Sequence, residues 1–158
     1  KSNLDQKKGK ELSTTLADVT TYQSGVAQAT AFRIVKKHTA AALKSYGLTC
    51  NQWFTIGTVL DAGPAGIRLS DLAKSLDTTL GYMTNTVNFL EAREILVKVE
   101  HKADARTRLI AVNDSYVKEC GEIEAHLRKC LGKVLYGNIS GEELLAYINV
   151  IYKISLIK

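Results

Sequence analysis

From Leu12 to Tyr46 apolar side chains return every three or four residues, at Leu12, Leu16, Val19, Tyr22 and Val26, then at Phe32, Val35, Ala42 and Tyr46. That spacing predicts an amphipathic helix, in one piece or in two meeting near Ala27 to Thr30, ended by Gly47. Thr49 with Gln52 three residues on forms a capping box, and Leu48 can staple onto Trp53. A second helix is therefore expected from Cys50 to about Asp61, with Trp53, Ile56, Val59 and Leu60 facing inward.

The run Ala62-Gly63-Pro64-Ala65-Gly66 breaks the chain. Ser70 is then expected to cap a short helix from Asp71 to Leu76 that buries Leu72, Ala73 and Leu76. Asp77-Thr78-Thr79 reads as a turn and a new cap, followed by a helix from Leu80 to about Arg93 whose inner face is Met83, Val87 and Leu90. Two short helices joined by a tight polar turn make a helix-turn-helix. The period then shifts to that of strands, at Ile95 to Glu100 and Arg108 to Val112, with the polar turn His101 to Arg106 between them. A hairpin placed directly after a helix-turn-helix is a wing.

The remaining chain is helical again. Tyr116, Cys120, Ile123, Leu127, Cys130 and Val134 step by fours and threes, a heptad-like seam closed by Gly137-Asn138. Ser140 and Glu143 form another capping box, Ile139 can staple onto Leu144, and a last helix carries Leu144, Ile148, Ile151 and Ser155. The fold class expected is mainly α with a small β-hairpin wing. A winged helix-turn-helix lobe occupies 48–113, and helical regions at 1–47 and 114–158 flank it.

Composition narrows the function. At 158 residues, 46% hydrophobic and 23% charged, the chain has the make-up of a folded globular domain. Its formal net charge of +5 favours polyanionic partners. Lys1 to Lys10 is polar, which predicts no signal peptide, and no stretch approaches the roughly 18 apolar residues of a membrane span. Cys50, Cys120 and Cys130 are too few and too scattered for a disulfide framework or a zinc site, and a reducing cytoplasm is expected. Neither a phosphate-cradling glycine loop nor a metal-ligand cluster is present, and Cys50 with His38 or His101 lacks an orienting third group, so no enzyme, cofactor or metal is expected.

Taken together and in order, several segments resemble the MarR family of transcriptional regulators. They are Leu48-Thr49 before Gln52-Trp53, Gly63-Pro64 before Leu69-Ser70-Asp71-Leu72-Ala73, then Met83-Thr84, Leu90-Glu91, Ile95-Leu96-Val97 and Asp104-Ala105-Arg106. The resemblance implies a triangular homodimer with interlocked terminal helices. Such a regulator is usually a repressor that binds a pseudo-palindromic operator in double-stranded DNA and lets go on binding a small aromatic effector or on cysteine oxidation. The chain departs from the usual pattern at Asn85, Asn88 and Phe89 in the second short helix, and at Glu94, where a glycine commonly stands.

Groove chemistry then selects candidate residues. A recognition helix reads base edges with polar side chains near its N-terminus, which here are Thr79, Gly81, Tyr82, Thr84, Asn85 and Asn88. Lys98, Lys102, Arg106 and Arg108 outnumber Glu100 and Asp104 along the hairpin, and Arg106 at its tip suits a narrow minor groove. Arg68 and Ser70 lie near a helix start and are candidates for phosphate contact. Cys50, Cys120 and Cys130 are candidate redox positions, Cys50 because it begins a helix. Tyr22, Arg33, His38 and Trp53 have the chemistry to hold an aromatic carboxylate. The competing reading is a winged-helix protein-interaction module without specific DNA binding, left open by the near-neutral second helix.

Overall fold

A computed structural model describes residues 11–101, 104 and 107–157. The helices are α1 (Thr21–Leu43), α2 (Cys50–Ala62), α3 (Leu69–Ser75), α4 (Leu80–Ala92), α5 (Val117–Val134) and α6 (Gly141–Ser155), with short strands β1 (Ile67–Arg68), β2 (Leu96–Glu100) and β3 (Arg108–Val112). Two compact units result: one joins the chain up to Thr39 with the chain from Arg128 onward, and the other is Ala40 to Leu127.

In the first unit α1 is a single helix, so the alternative of two pieces meeting near Ala27 to Thr30 does not hold. Its start is fixed at Thr20, whose backbone N–H donates to Gln23 Oε1 at 2.9 Å while its hydroxyl accepts from Gln23 N at 3.2 Å. Leu16, assigned to the same periodic stretch, lies before that cap in a separate 3-10 turn, Leu16–Asp18. At the other end of the chain, the expected capping box of α6 forms. Ser140 Oγ accepts from Glu143 N at 3.1 Å, and Glu143 Oε2 accepts from Ser140 N at 2.9 Å.

The second unit holds the core. Leu43, Ile56, Val59, Leu72, Met83, Val87, Leu90, Ile95, Ile110 and Ile123 are all essentially inaccessible. The capping box at Thr49 and Gln52 forms, and Gly47, at φ +64°, closes the turn before it. Each is an orphan-group solution that sequence predicts from a few neighbouring residues. Of the heptad-like seam on α5, Cys120, Ile123 and Leu127 are buried here, whereas Val134 is exposed.

The expected hairpin is part of a larger sheet. β2 and β3 pair antiparallel with Leu96 opposite Val112 and Glu100 opposite Arg108, and β1 joins the other edge of β3 with Ile67 opposite Ile110. Two residues of extended chain carry no periodicity, so β1 left no trace in the pattern. It also changes the next helix. Because Arg68 ends the strand and serves as the N-cap, α3 begins at Leu69, and Ser70 lies inside the helix instead of capping it. Gly66 makes the approach possible: it sits at φ +83°, and a Cβ there would stand 2.9 Å from the Ile110 carbonyl oxygen.

Candidate nucleic-acid interface

The turn between α3 and α4 is built by backbone closure. Thr78 N–H donates to Ala73 O at 3.0 Å and Asp77 N–H to Lys74 O at 3.2 Å, with Asp77 in the left-handed region at φ +49°. Thr79 then caps α4, its hydroxyl accepting from Tyr82 N at 3.2 Å. These few bonds set the direction in which α4 leaves α3.

α4 buries Met83, Thr86, Val87 and Leu90. At 3.6 residues per turn the opposite stripe is Gly81, Asn85, Asn88 and Ala92, all exposed. Tyr82 and Phe89 border the stripe on one side, and Leu80 and Thr84 on the other. The Tyr82 hydroxyl accepts from Asn51 Nδ2 at 2.9 Å, which ties the start of α4 to α2. The Thr84 hydroxyl donates to its own helix, to Leu80 O at 2.8 Å. Between Thr79 and Ala92 the sole charged side chain is Glu91.

Two arginines that border α4 are already engaged. Arg108 on β3 forms an ion pair with Glu91 and also donates to Asn88 Oδ1 at 3.1 Å, fastening the wing to the middle of α4. Arg93, at the C-cap of α4, donates to Gly47 O at 2.8 Å and Tyr46 O at 3.2 Å, with its guanidinium over the Phe89 ring. Arg93 carried no sequence signal, because its partners are carbonyls 46 and 47 residues away.

The other candidates scatter around this centre. Arg68 and Ser70 are exposed where β1 passes into α3, and Lys98 is exposed on β2. Asp104 Oδ2 accepts from the Thr107 hydroxyl at 2.9 Å, and Asp104 N–H donates to His101 Nδ1 at 3.0 Å, so this carboxylate closes the hairpin loop. Lys102 and Arg106 lie outside the described residues.

The thiols and the expected pocket behave differently. No disulfide joins Cys50, Cys120 and Cys130; the first two are buried and the third is half-buried. Burial, and then the negative charge of Glu119, push the Cys120 thiol above the usual range, away from the reactive thiolate. Tyr22 and Arg33 stand eleven residues apart on α1, about 16 Å along a helix, and Arg33 donates to Thr30 Oγ1 at 3.2 Å. His38 is half-buried on α1, and Trp53 packs against the core of the second unit. Tyr22 lines an open recess of about 400 Å³ with Leu12, Val26 and Thr30, but none of the four lines the second cavity of about 400 Å³ in the first unit, which is walled by α1 side chains such as Ile34 and Val35 together with Leu135, Tyr136, Leu144 and Tyr147. Burial, with Tyr147 second, raises the Tyr136 hydroxyl above its usual range. Among the described residues no His, Cys, Asp and Glu cluster could hold a metal ion, and no helix is long and apolar enough to cross a membrane.

The sequence matches no family profile and no curated protein. Solved structures are another matter. The chain is similar to wild-type MarR from E. coli, at 18% identity and a TM-score of 0.70, over 82% of this chain and 94% of that one. It is similar to CouR from Rhodococcus jostii, a structure bound to p-coumaroyl-CoA, at 18% identity and a TM-score of 0.74, over 92% and 98% of the two chains. It is also similar to MepR of S. aureus in a DNA complex, at 20% identity and a TM-score of 0.67, over 86% and 97%. The three-stranded sheet, the helix-turn-helix and the flanking helices therefore form the winged-helix fold of the MarR-type transcriptional regulators.

Proposed function

We propose that this chain is a sequence-specific double-stranded DNA-binding transcriptional regulator, not an enzyme, acting in the cytoplasm as a homodimer on a pseudo-palindromic operator. The observation that carries the reading is the uncharged polar stripe of α4, held beside an antiparallel wing in a fold that MepR shares in its DNA complex. α4 is the element that enters the major groove, with Thr79, Gly81, Tyr82, Thr84, Asn85 and Asn88 toward the bases. Arg68, Ser70 and Lys98, with Lys102, serve the phosphates, and Arg106 serves the minor groove. Arg108 holds the wing in register with α4 through Glu91 and Asn88.

Large apolar side chains left exposed on the terminal helices support the homodimer. Tyr22 is 70% accessible, Phe32 61%, Leu145 61% and Tyr152 62%, a burden that soluble chains bury against a partner. For the signal, the largely apolar cavity beside Tyr136 and Tyr147 suits a small aromatic effector, and burial disfavours oxidation at Cys120, which leaves the half-buried Cys130 as the thiol alternative. With release of the operator by that effector as relief of repression, the protein is read as a repressor.

Binding of a random-sequence duplex pool measured against salt tests the reading. A log–log slope near −0.9 per phosphate contact is expected, together with enrichment of a two-fold symmetric site. Failure to retain any duplex at low ionic strength would overturn it in favour of a protein-interaction module.

A further inference from the structure

The chemistry of α4 restricts which base pairs it can read. A guanine is read in the major groove by the two-pronged donation of Arg or Lys to O6 and N7, and a cytosine by a carboxylate that accepts from N4. From Thr79 to Ala92 there is no Lys or Arg. The bordering guanidiniums are committed elsewhere, Arg93 to the Tyr46 and Gly47 carbonyls and Arg108 to Glu91 and Asn88. Glu91, the single carboxylate of the helix, is half-buried, with Oε2 paired to Arg108 and Oε1 enclosed away from the surface. Neither partner of a G·C pair therefore has its strongest reader, the two-pronged cation for guanine or the carboxylate for cytosine.

The groups that remain suit the other pair. Asn85 is exposed at the centre of the outward stripe and its side chain makes no hydrogen bond to the described residues, so both its amide oxygen and its NH2 are open. That is the donor-acceptor pair complementary to adenine N7 and N6. Asn88 differs, because its Oδ1 accepts from Arg108 and its NH2 projects as a donor, which suits any lone acceptor, thymine O4 or guanine O6 alike, and does not choose between the pairs. Gly81 has no atom within 4 Å of where a Cβ would be, so the backbone can come close to the base edges there. Leu80 is 54% exposed beside Thr84, whose hydroxyl proton is spent on the helix, and both leave methyl groups toward one flank, where a thymine C5-methyl is the apolar partner the groove offers.

We infer that α4 specifies A·T pairs, with Asn85 reading an adenine and the Leu80–Thr84 flank a thymine methyl. The inference rests on the DNA-binding reading above, and the test separates the two. Sites selected from random duplexes should carry an A·T-dominated core in each half-site. Within such a site, replacing adenines one at a time by 7-deazaadenine should cost about tenfold in affinity at one position per half-site. In the Asn85→Ala protein that penalty should vanish, while 7-deazaadenine elsewhere stays harmless. Replacing thymine by deoxyuridine should cost several-fold in the wild-type protein alone, a measurement that needs no variant. Specific sites built on a G·C core, or an equal penalty in wild type and Asn85→Ala, would overturn the A·T assignment and leave DNA binding standing. Absence of binding to every duplex would remove both.

Discussion

Glu94 sits at φ +60°, a left-handed backbone that an L side chain adopts at a cost and glycine adopts freely. The chain holds it there with two bonds: its N–H donates to Glu91 O, and its carbonyl accepts from Asn113 Nδ2, both at 2.9 Å. Both bonds use the backbone of residue 94, so Glu94→Gly should keep them and raise stability by about 1 kcal/mol, read as a higher denaturant midpoint at unchanged slope. The reverse holds at Gly66, where Gly66→Ala adds a Cβ against the Ile110 carbonyl at a positive φ and should cost about 2 kcal/mol. A midpoint unchanged in either protein would contradict the strain argument. The same scale fixes the thiol expectation: Cys120 should resist thiol reagents at neutral pH in the folded protein and react only on unfolding, because burial holds its proton.

Among the elements, helix starts were the most legible part of the sequence, since a cap and its partner lie three residues apart and need nothing else. Thr49, Thr79 and Ser140 all cap where their neighbours predict. Ser70 misled for a corresponding reason: β1 is created by pairing with β3, more than forty residues along, and it displaces the helix start to Leu69. Arg93 escaped notice likewise, and Arg108 stands in the sequence as a candidate DNA contact without its pairing to Glu91 and Asn88, because both sets of partners are set by tertiary proximity. The capping box of α6 has a pH signature. Accepting from the Ser140 backbone and then its hydroxyl pulls the Glu143 carboxyl below its usual 4.5. A carboxyl lowered in the folded state lends stability that is fully present above its unfolded pKa and is lost as pH falls through the lowered value. Helicity of the wild-type protein should therefore fall on acidification beyond that range, and Glu143→Gln should abolish this part of the titration. For the wing, Arg108→Met should leave the fold intact and reduce operator affinity at least several-fold by loosening β3 from α4, an effect readable by titration of labelled DNA.

At the scale of the molecule, apolar side chains on α1 and α6 face solvent in the single chain, so light scattering should report twice 17.3 kDa, and a clean monomer at micromolar concentration would remove the dimer. That face was legible as periodicity, while what covers it was not, because a seam records only that something apolar must sit on it. Arg106→Ala should weaken binding on all sequences and flatten the salt slope by about one contact. α4 itself is electrically silent: its one carboxylate is neutralised by Arg108 and it contributes no cation. On the proposed DNA-binding reading, affinity for the polymer and choice of address would be carried by separate parts of the lobe. Under that reading, exchanging residues along the outward stripe should redirect the protein to new addresses while its ionic-strength titrations stay parallel, so new targets would arise without any retuning of how tightly duplex DNA as a whole is held.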